Sequence, residues 1–188
     1  MPRLFTGLEI PSDVAFELDL LRGGIGGARW IDRENFHITL RFIGDVNEDV
    51  ADDIHDALRF IRTRRFDLTL AGVGHFESAG QVHTLWAGVE KNPDLLALRD
   101  RIESALVRMG LPPEGRRFLP HVTLCRLRDA SVARVSGFLA ANNLFRAGPI
   151  PVAHFTLFSS YLQHSGAIYT PEAEYFLQAA PETRGLTA

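Results

Sequence analysis

Phe36-His37-Ile38-Thr39-Leu40-Arg41-Phe42-Ile43 reads as a β-strand closed by Gly44. Its β-branched and aromatic residues favour extended chain. On a strand, residues two apart share a face, so His37 and Thr39 point the same way. By the same alternation Arg41 joins them. The tetrad His37-Ile38-Thr39-Leu40 returns as His121-Val122-Thr123-Leu124, and both fit His-x-Thr-Leu. In a chain of this composition chance predicts only about 0.05 such tetrads. A third match, His154-Phe155-Thr156-Leu157, means that something must choose between them.

Two such strands side by side would aim two imidazoles and two hydroxyls at one pocket. Opening a cyclic phosphodiester needs that set: a base for water, an acid for the departing oxygen, and donors for the phosphoryl oxygens. Histidine suits both proton roles, because its ordinary pKa of about 6.5 allows one copy to be neutral and the other charged. A strained five-membered cyclic phosphate needs no metal, so none is expected, and no cofactor either.

Outward from the tetrads the pattern is mixed. Arg3–Ile10 reads as an opening strand stopped by Pro11, with Ser12 as N-cap of a helix from Asp13 to about Leu21. Helical spacing recurs over Glu48–Ile61, from Pro93 to near Gly110, and over Ser131–Ala141. Strands are expected at Phe66–Val73, Val82–Val89, Phe118–Leu124, Val152–Phe158 and Tyr175–Ala179. Strands and helices without a regular βαβ pulse indicate an α+β fold. Strand, helix, strand recurs in each half, and no linker divides the chain, so residues 1–188 are expected to form one domain of two intertwined lobes. The Gly23-Gly24-Ile25-Gly26-Gly27 run follows a helix rather than a strand and fails the context test for a dinucleotide fingerprint.

Composition narrows the function. At 188 residues and 46% hydrophobic, the chain is an ordinary globular length and mix. No apolar run approaches the roughly 18–20 residues of a membrane helix. Met1-Pro2-Arg3-Leu4-Phe5 lacks the apolar core of a signal peptide, so a cytoplasmic protein is expected. The lone Cys125 excludes an internal disulfide and reads as inert packing, though alternation places it on the histidine face. Net charge is −3, and of 20 basic residues only Lys91 is a lysine. Nucleic-acid contact should therefore be local, at an end or a short single strand. Arg116-Arg117 and Arg62, Arg64 and Arg65 are candidates for an RNA approach, but short charge runs are usually solvated. His55, His75, His83 and His164 show no metal-ligand spacing.

The chain resembles the two-histidine phosphoesterase superfamily, specifically its RNA 2′,3′-cyclic phosphodiesterases, also called LigT-like 2′-5′ RNA ligases. The resemblance rests on Arg3-Leu4-Phe5-Thr6-Gly7-Leu8-Glu9-Ile10-Pro11, Trp30, the His37–Gly44 block, Pro120-His121-Val122-Thr123-Leu124 with Arg126, and the tail Phe155–Ser160 with Gly166-Ala167-Ile168-Tyr169. It implies a bilobal fold, with two pseudo-symmetric, mostly antiparallel lobes and outer helices around a central cleft. It also selects the tetrads: the first histidine is followed by a strand ending in a glycine, Gly44, and the second is preceded by a proline, Pro120. His154 then reads as incidental. By resemblance His37 is the proton donor to the departing ribose oxygen and His121 the acceptor that activates water. Thr39 and Thr123 would hold phosphate oxygens. Arg126 matches a family arginine, yet strict alternation from His121 aims it away, and a bulge after Leu124 would be needed to re-aim it. Arg41 is a second substrate-binding candidate. The implied substrate is an RNA 3′ end bearing a 2′,3′-cyclic phosphate, with a 2′-phosphate product, no obligate protein partner and no membrane. Ligation through a 2′-5′ bond, hydrolysis of small cyclic nucleotides, and a non-catalytic RNA-binding module are the alternatives.

Overall fold

The computed structural model describes residues 2–163 and 166–179. In chain order they form β1 (Arg3–Glu9), α1 (Ser12–Asp19), β2 (Arg29–Trp30), a 3₁₀ turn (Arg33–Asn35), β3 (His37–Asp45), α2 (Glu48–Leu58), β4 (Phe66–Ser78), β5 (Gln81–Val89), α3 (Pro93–Arg108), β6 (His121–Ser131), α4 (Val132–Asn142), β7 (Arg146–Val152), β8 (His154–Gln163) and β9 (Gly166–Phe176). Local chemistry explains the helix starts. The side chains of Asn47, Asn92 and Ser131 each accept a backbone N–H of the first turn of α2, α3 and α4. Ser12 does not cap α1: it is the first helical residue, and Pro11 holds the cap position without a side-chain bond. The expected strand Val152–Phe158 is broken at Ala153 into β7 and β8. β7 carries Pro149 and Pro151, which the ladder tolerates because β7 is an edge strand. The last strand lies earlier than expected, at Gly166–Phe176 rather than Tyr175–Ala179.

The long strands pair in the order β7-β4-β5-β6-β3-β1-β8-β9, with β2 beside β6, and the pairings are antiparallel throughout. This order is symmetric about the β3/β6 seam. β3, β1, β8 and β9 form one lobe, and β6, β5, β4 and β7 the other. The chain builds β4 to β7 before returning with β8 and β9 to the first lobe, which is why the lobes are intertwined. At the seam the two tetrad strands meet through Ile38↔Val122. Both side chains are fully buried.

One hydrophobic cluster joins the lobes. It takes Leu18 from α1, Ile54 and Leu58 from α2, Leu98, Ile102 and Leu106 from α3, Val135 from α4, and strand residues from Leu4 to Tyr175. Full burial of each large aliphatic side chain is worth about 1.5–3 kcal/mol, so the seam is held from beneath by packing rather than by its short ladder. No helix among the described residues is long and apolar enough to cross a membrane.

Candidate active site

The Ile38↔Val122 pair fixes the site. In that antiparallel register His37 lies beside Thr123 and Thr39 beside His121. All four lie one residue from the seam pair, so they point away from the core that buries Ile38 and Val122. The two histidine Cα atoms are diagonal neighbours, about 8 Å apart from strand spacing and rise. Their side chains line one cleft of about 260 Å³, together with Thr39, Thr123 and Arg126. The structure thus brings these five residues to one cleft.

The two imidazoles are held alike. His37 Nδ1 lies 2.8 Å from the Asn35 carbonyl and His121 Nδ1 lies 2.7 Å from the Leu119 carbonyl. A carbonyl only accepts, so each Nδ1 carries the proton and donates it. Each Nε2 is left to the cleft, as a lone pair in the neutral ring and an N–H in the charged one. Aromatic rings fix the planes: Phe5 and Tyr169 at 4.9 and 4.8 Å from His37, Phe76 at 4.9 Å and edge-on to His121. Burial pushes His37 down from the usual histidine range to about 4. The bond to Asn35 opposes that shift, and the charges of His121 and Arg126 add to it. His121 is lowered for the same first reason, with the Leu119 bond opposing and Arg126 adding.

Two bulges decide which arginine reaches the cleft. On β3, Thr39 pairs with Gly7 but Arg41 with Thr6, so Leu40 is an extra residue. Alternation slips by one there, and Arg41 turns from the cleft face into the helix side. It is 7% exposed, with Nε 2.5 Å from Glu103 of α3 and Nη2 2.6 Å from the Pro112 carbonyl. Arg41 is therefore a structural cation, and Phe42 takes its place on the cleft wall. On β6, Thr123 pairs with Trp86 and Cys125 with Leu85, so Leu124 is the extra residue. This bulge brings Arg126 onto the histidine face, where Nη1 donates to Thr84 Oγ1 at 3.0 Å. It also buries Cys125 on the opposite side, where burial pushes the thiol up to about 11. Arg41→Ala should strand Glu103 in the interior. Burial alone would raise the Glu103 carboxyl, but the Glu114 N–H and Arg41 hold it below the ordinary range. The melting temperature of Arg41→Ala should fall by about 6–12 °C, with KM unchanged. An unaltered melting curve would contradict this placement.

The other candidates lie elsewhere. His154 opens β8, 4.0 Å from Glu9, and does not line the two-histidine cleft. Glu9, His154 and Glu174 bring three ligand atoms within 4.8 Å of one another, the one group among the described residues arranged to hold a metal. The sequence spacing gave no sign of it, because its members come from β1, β8 and β9. His55 bonds the Tyr175 hydroxyl, His83 bonds Ser78, and His75 faces Glu77. His164 lies outside the described residues. Arg116, Arg117, Arg62, Arg64 and Arg65 do not line the cleft. Sequence reasoning missed Arg3, Phe5, Asn35, Phe42 and Tyr169 as cleft residues. The only signal was that Arg3, Phe5, Phe42 and Tyr169 stand in the blocks that carry the resemblance.

The 2′-5′ RNA ligase superfamily model matches residues 26–163. A protein of Aeropyrum pernix named RNA 2′,3′-cyclic phosphodiesterase is 37% identical over 156 residues, covering 82% of this chain and 88% of its own. The Escherichia coli protein of the same name is 28% identical over 173 residues, covering 90% and 93%. Among solved structures, Escherichia coli LigT complexed with 3′-AMP superposes with a TM-score of 0.75 at 27% identity, over 94% of this chain and 98% of that one.

Proposed function

The chain belongs to the 2′-5′ RNA ligase superfamily, and on that premise we propose that it hydrolyses 2′,3′-cyclic phosphate ends of RNA to 2′-phosphate ends. The observation that carries this reading is the matched pair of Nε2-presenting imidazoles on one cleft, each beside a threonine of the other strand. The relatives' shared name, RNA 2′,3′-cyclic phosphodiesterase, supports the substrate class. We read residues 1–188 as one catalytic domain, since the motif strands come from different lobes over one core.

In the proposed step the bound anionic phosphate favours the imidazolium form of His37, and neutral His121 takes a proton from water at Nε2 as the oxygen attacks phosphorus. The P–O3′ bond breaks in line, and the His37 Nε2–H protonates the departing O3′. Thr39, Thr123 and Arg126 hold the non-bridging oxygens, whose charge grows in the transition state. One proton leaves His37 and one arrives on His121, so solvent must exchange them before the next turnover. With a ribose 5′-hydroxyl in place of water as the nucleophile, the same step, again expelling O3′, is 2′-5′ ligation. Water in large excess favours hydrolysis.

The test is a short RNA with a 2′,3′-cyclic end, its product mapped at the terminal phosphate. A 2′-phosphate is expected, and turnover should persist in EDTA. A cyclic end left intact would sink the proposal, whereas exclusive 3′-phosphate would reverse the pose of the ribose.

The pH dependence follows from the same geometry. Only the singly protonated pair is competent, so activity peaks between the pair's two macroscopic pKa values. In the free protein both rings are lowered, so kcat/KM should peak below pH 6.5 and fall as pH rises. An anionic phosphate between the rings favours the imidazolium, so the falling limb of kcat should lie at higher pH than that of kcat/KM. Coincident limbs would contradict this.

A further inference from the structure

The pseudo-symmetry of the lobes makes their positions comparable, and at one of them the lobes differ sharply. Gly7 pairs with Thr39 of the first tetrad, and Trp86 pairs with Thr123 of the second. The second lobe therefore has an indole where the first has no side chain. The neighbours are exchanged in the opposite sense. Opposite Gly7 on β8 stands Thr156, but opposite Trp86 on β4 stands Gly74. Opposite His37 stands Glu9, but opposite His121 stands Gly88.

Space explains the exchange. A Cβ on Gly74 would lie 2.3, 2.4 and 2.8 Å from three atoms of the Trp86 ring. A Cβ on Gly88 would lie 2.7 Å from the Ala71 carbonyl oxygen and 3.4 Å from Trp86 Cζ3. Gly74 thus keeps open the notch that seats the indole, while Gly88 makes room chiefly for the Ala71 carbonyl. Packing holds it there although its buried Nε1–H finds no hydrogen-bond partner among the described residues, a situation that normally disfavours a placement. From the notch the contacts run directly to the chemistry. Trp86 packs against Phe76 at 5.5 Å and stands 6.1 Å from His121, while Phe76 meets the His121 ring edge-on.

We infer that Trp86, seated in the notch left by Gly74, is a positioning residue that sets the plane and the dry surroundings of His121. The inference rests on the reading of His121 as a member of the acid/base pair. The Leu119 carbonyl fixes one edge of the imidazole. Rotation about that bond remains, and the aromatic wall of Phe76 backed by Trp86 removes it. The same wall keeps water from one side of the ring, in keeping with the lowered titration of His121 that burial causes.

The experiment compares the parent with Gly74→Ala, Trp86→Phe, Trp86→Ala and the double variant Gly74→Ala/Trp86→Phe. It reads the His121 titration by NMR and the kinetics on the cyclic RNA end. Gly74→Ala, which leaves Trp86 intact but displaces its ring, should lower kcat by roughly 10–100-fold with KM within about two-fold. The smaller phenyl ring of the double variant should recover most of that loss. In Trp86→Ala water reaches the imidazole, so the His121 midpoint should rise toward the ordinary histidine value, and the kcat/KM profile should move with it. Should Trp86→Ala fail to fold, Gly74→Ala and its rescue carry the same comparison. A His121 midpoint and kcat that match the parent in Gly74→Ala, or a double variant no better than Gly74→Ala, overturns the inference. The titration needs no substrate, so the positioning is tested even where the cyclic end proves to be the wrong substrate.

Discussion

Replacing His37 or His121 with alanine should cut turnover of a cyclic RNA end by roughly 10²–10⁴-fold, the usual worth of one positioned proton donor or acceptor. Each ring presents one free nitrogen, Nε2, because Nδ1 is committed to a backbone carbonyl. No second group on the same strand face offers a comparable proton, so alanine leaves nothing to substitute. The double variant should be little worse than the poorer single one, because acid and base act as a unit. His154→Ala is the control. It removes the third tetrad's histidine from a position 4.0 Å from Glu9 and outside the two-histidine cleft, so turnover should stay within about three-fold of the parent, inside the range of ordinary surface effects. If His154→Ala abolished turnover while His121→Ala spared it, the acid/base pair would have to be reassigned to β3 and β8.

Arg126→Ala should lower kcat/KM by roughly 10²–10³-fold, the loss seen when one preorganised donor to a developing oxyanion is removed. Thr84 Oγ1 accepts from Arg126 Nη1 and so anchors the guanidinium while leaving its other donors to the cleft. Arg126→Lys should recover only part of the loss, since an ammonium lacks the planar fork that meets two phosphoryl oxygens together. The pH profile should move as well, and the sign is fixed. Arg126 is a positive charge that lowers both imidazoles. Without it both midpoints rise, and the kcat/KM optimum shifts to higher pH. An Arg126→Ala enzyme within three-fold of the parent, at an unshifted optimum, would show that the guanidinium does not meet the phosphate.

The two arginines show where local pattern stops being informative. Alternation along β3 put Arg41 beside His37, and alternation along β6 put Arg126 behind His121. Both placements are reversed by one extra residue each, Leu40 and Leu124. A bulge belongs to a ladder rather than to a strand. It arises from how β3 aligns with β1 and β6 with β5, so nothing within either tetrad strand announces it. The same non-locality hid the aromatic walls. Tyr169 reaches His37 from β9, and Phe76 reaches His121 from β4, across sequence distances that no periodicity spans.

What the sequence determined alone was what local rules govern. The period-two pattern put each histidine on the face of its threonine. The Asn and Ser side chains set the starts of three helices, and the paired tetrads implied two lobes of like construction. The choice of His37 and His121 over His154 came from flanking residues and resemblance, and the β3/β6 seam then brought those two strands together. The tautomers too are set locally, by the Asn35 and Leu119 carbonyls two residues before each histidine. Tertiary structure decided the lowered titration of both rings, the exchange of Arg41 for Phe42 and of Cys125 for Arg126, and the grouping of Glu9, His154 and Glu174. Each of these depends on strand register and burial. Those are properties of partners distant in the chain, whereas period, capping and turn chemistry act over a few residues.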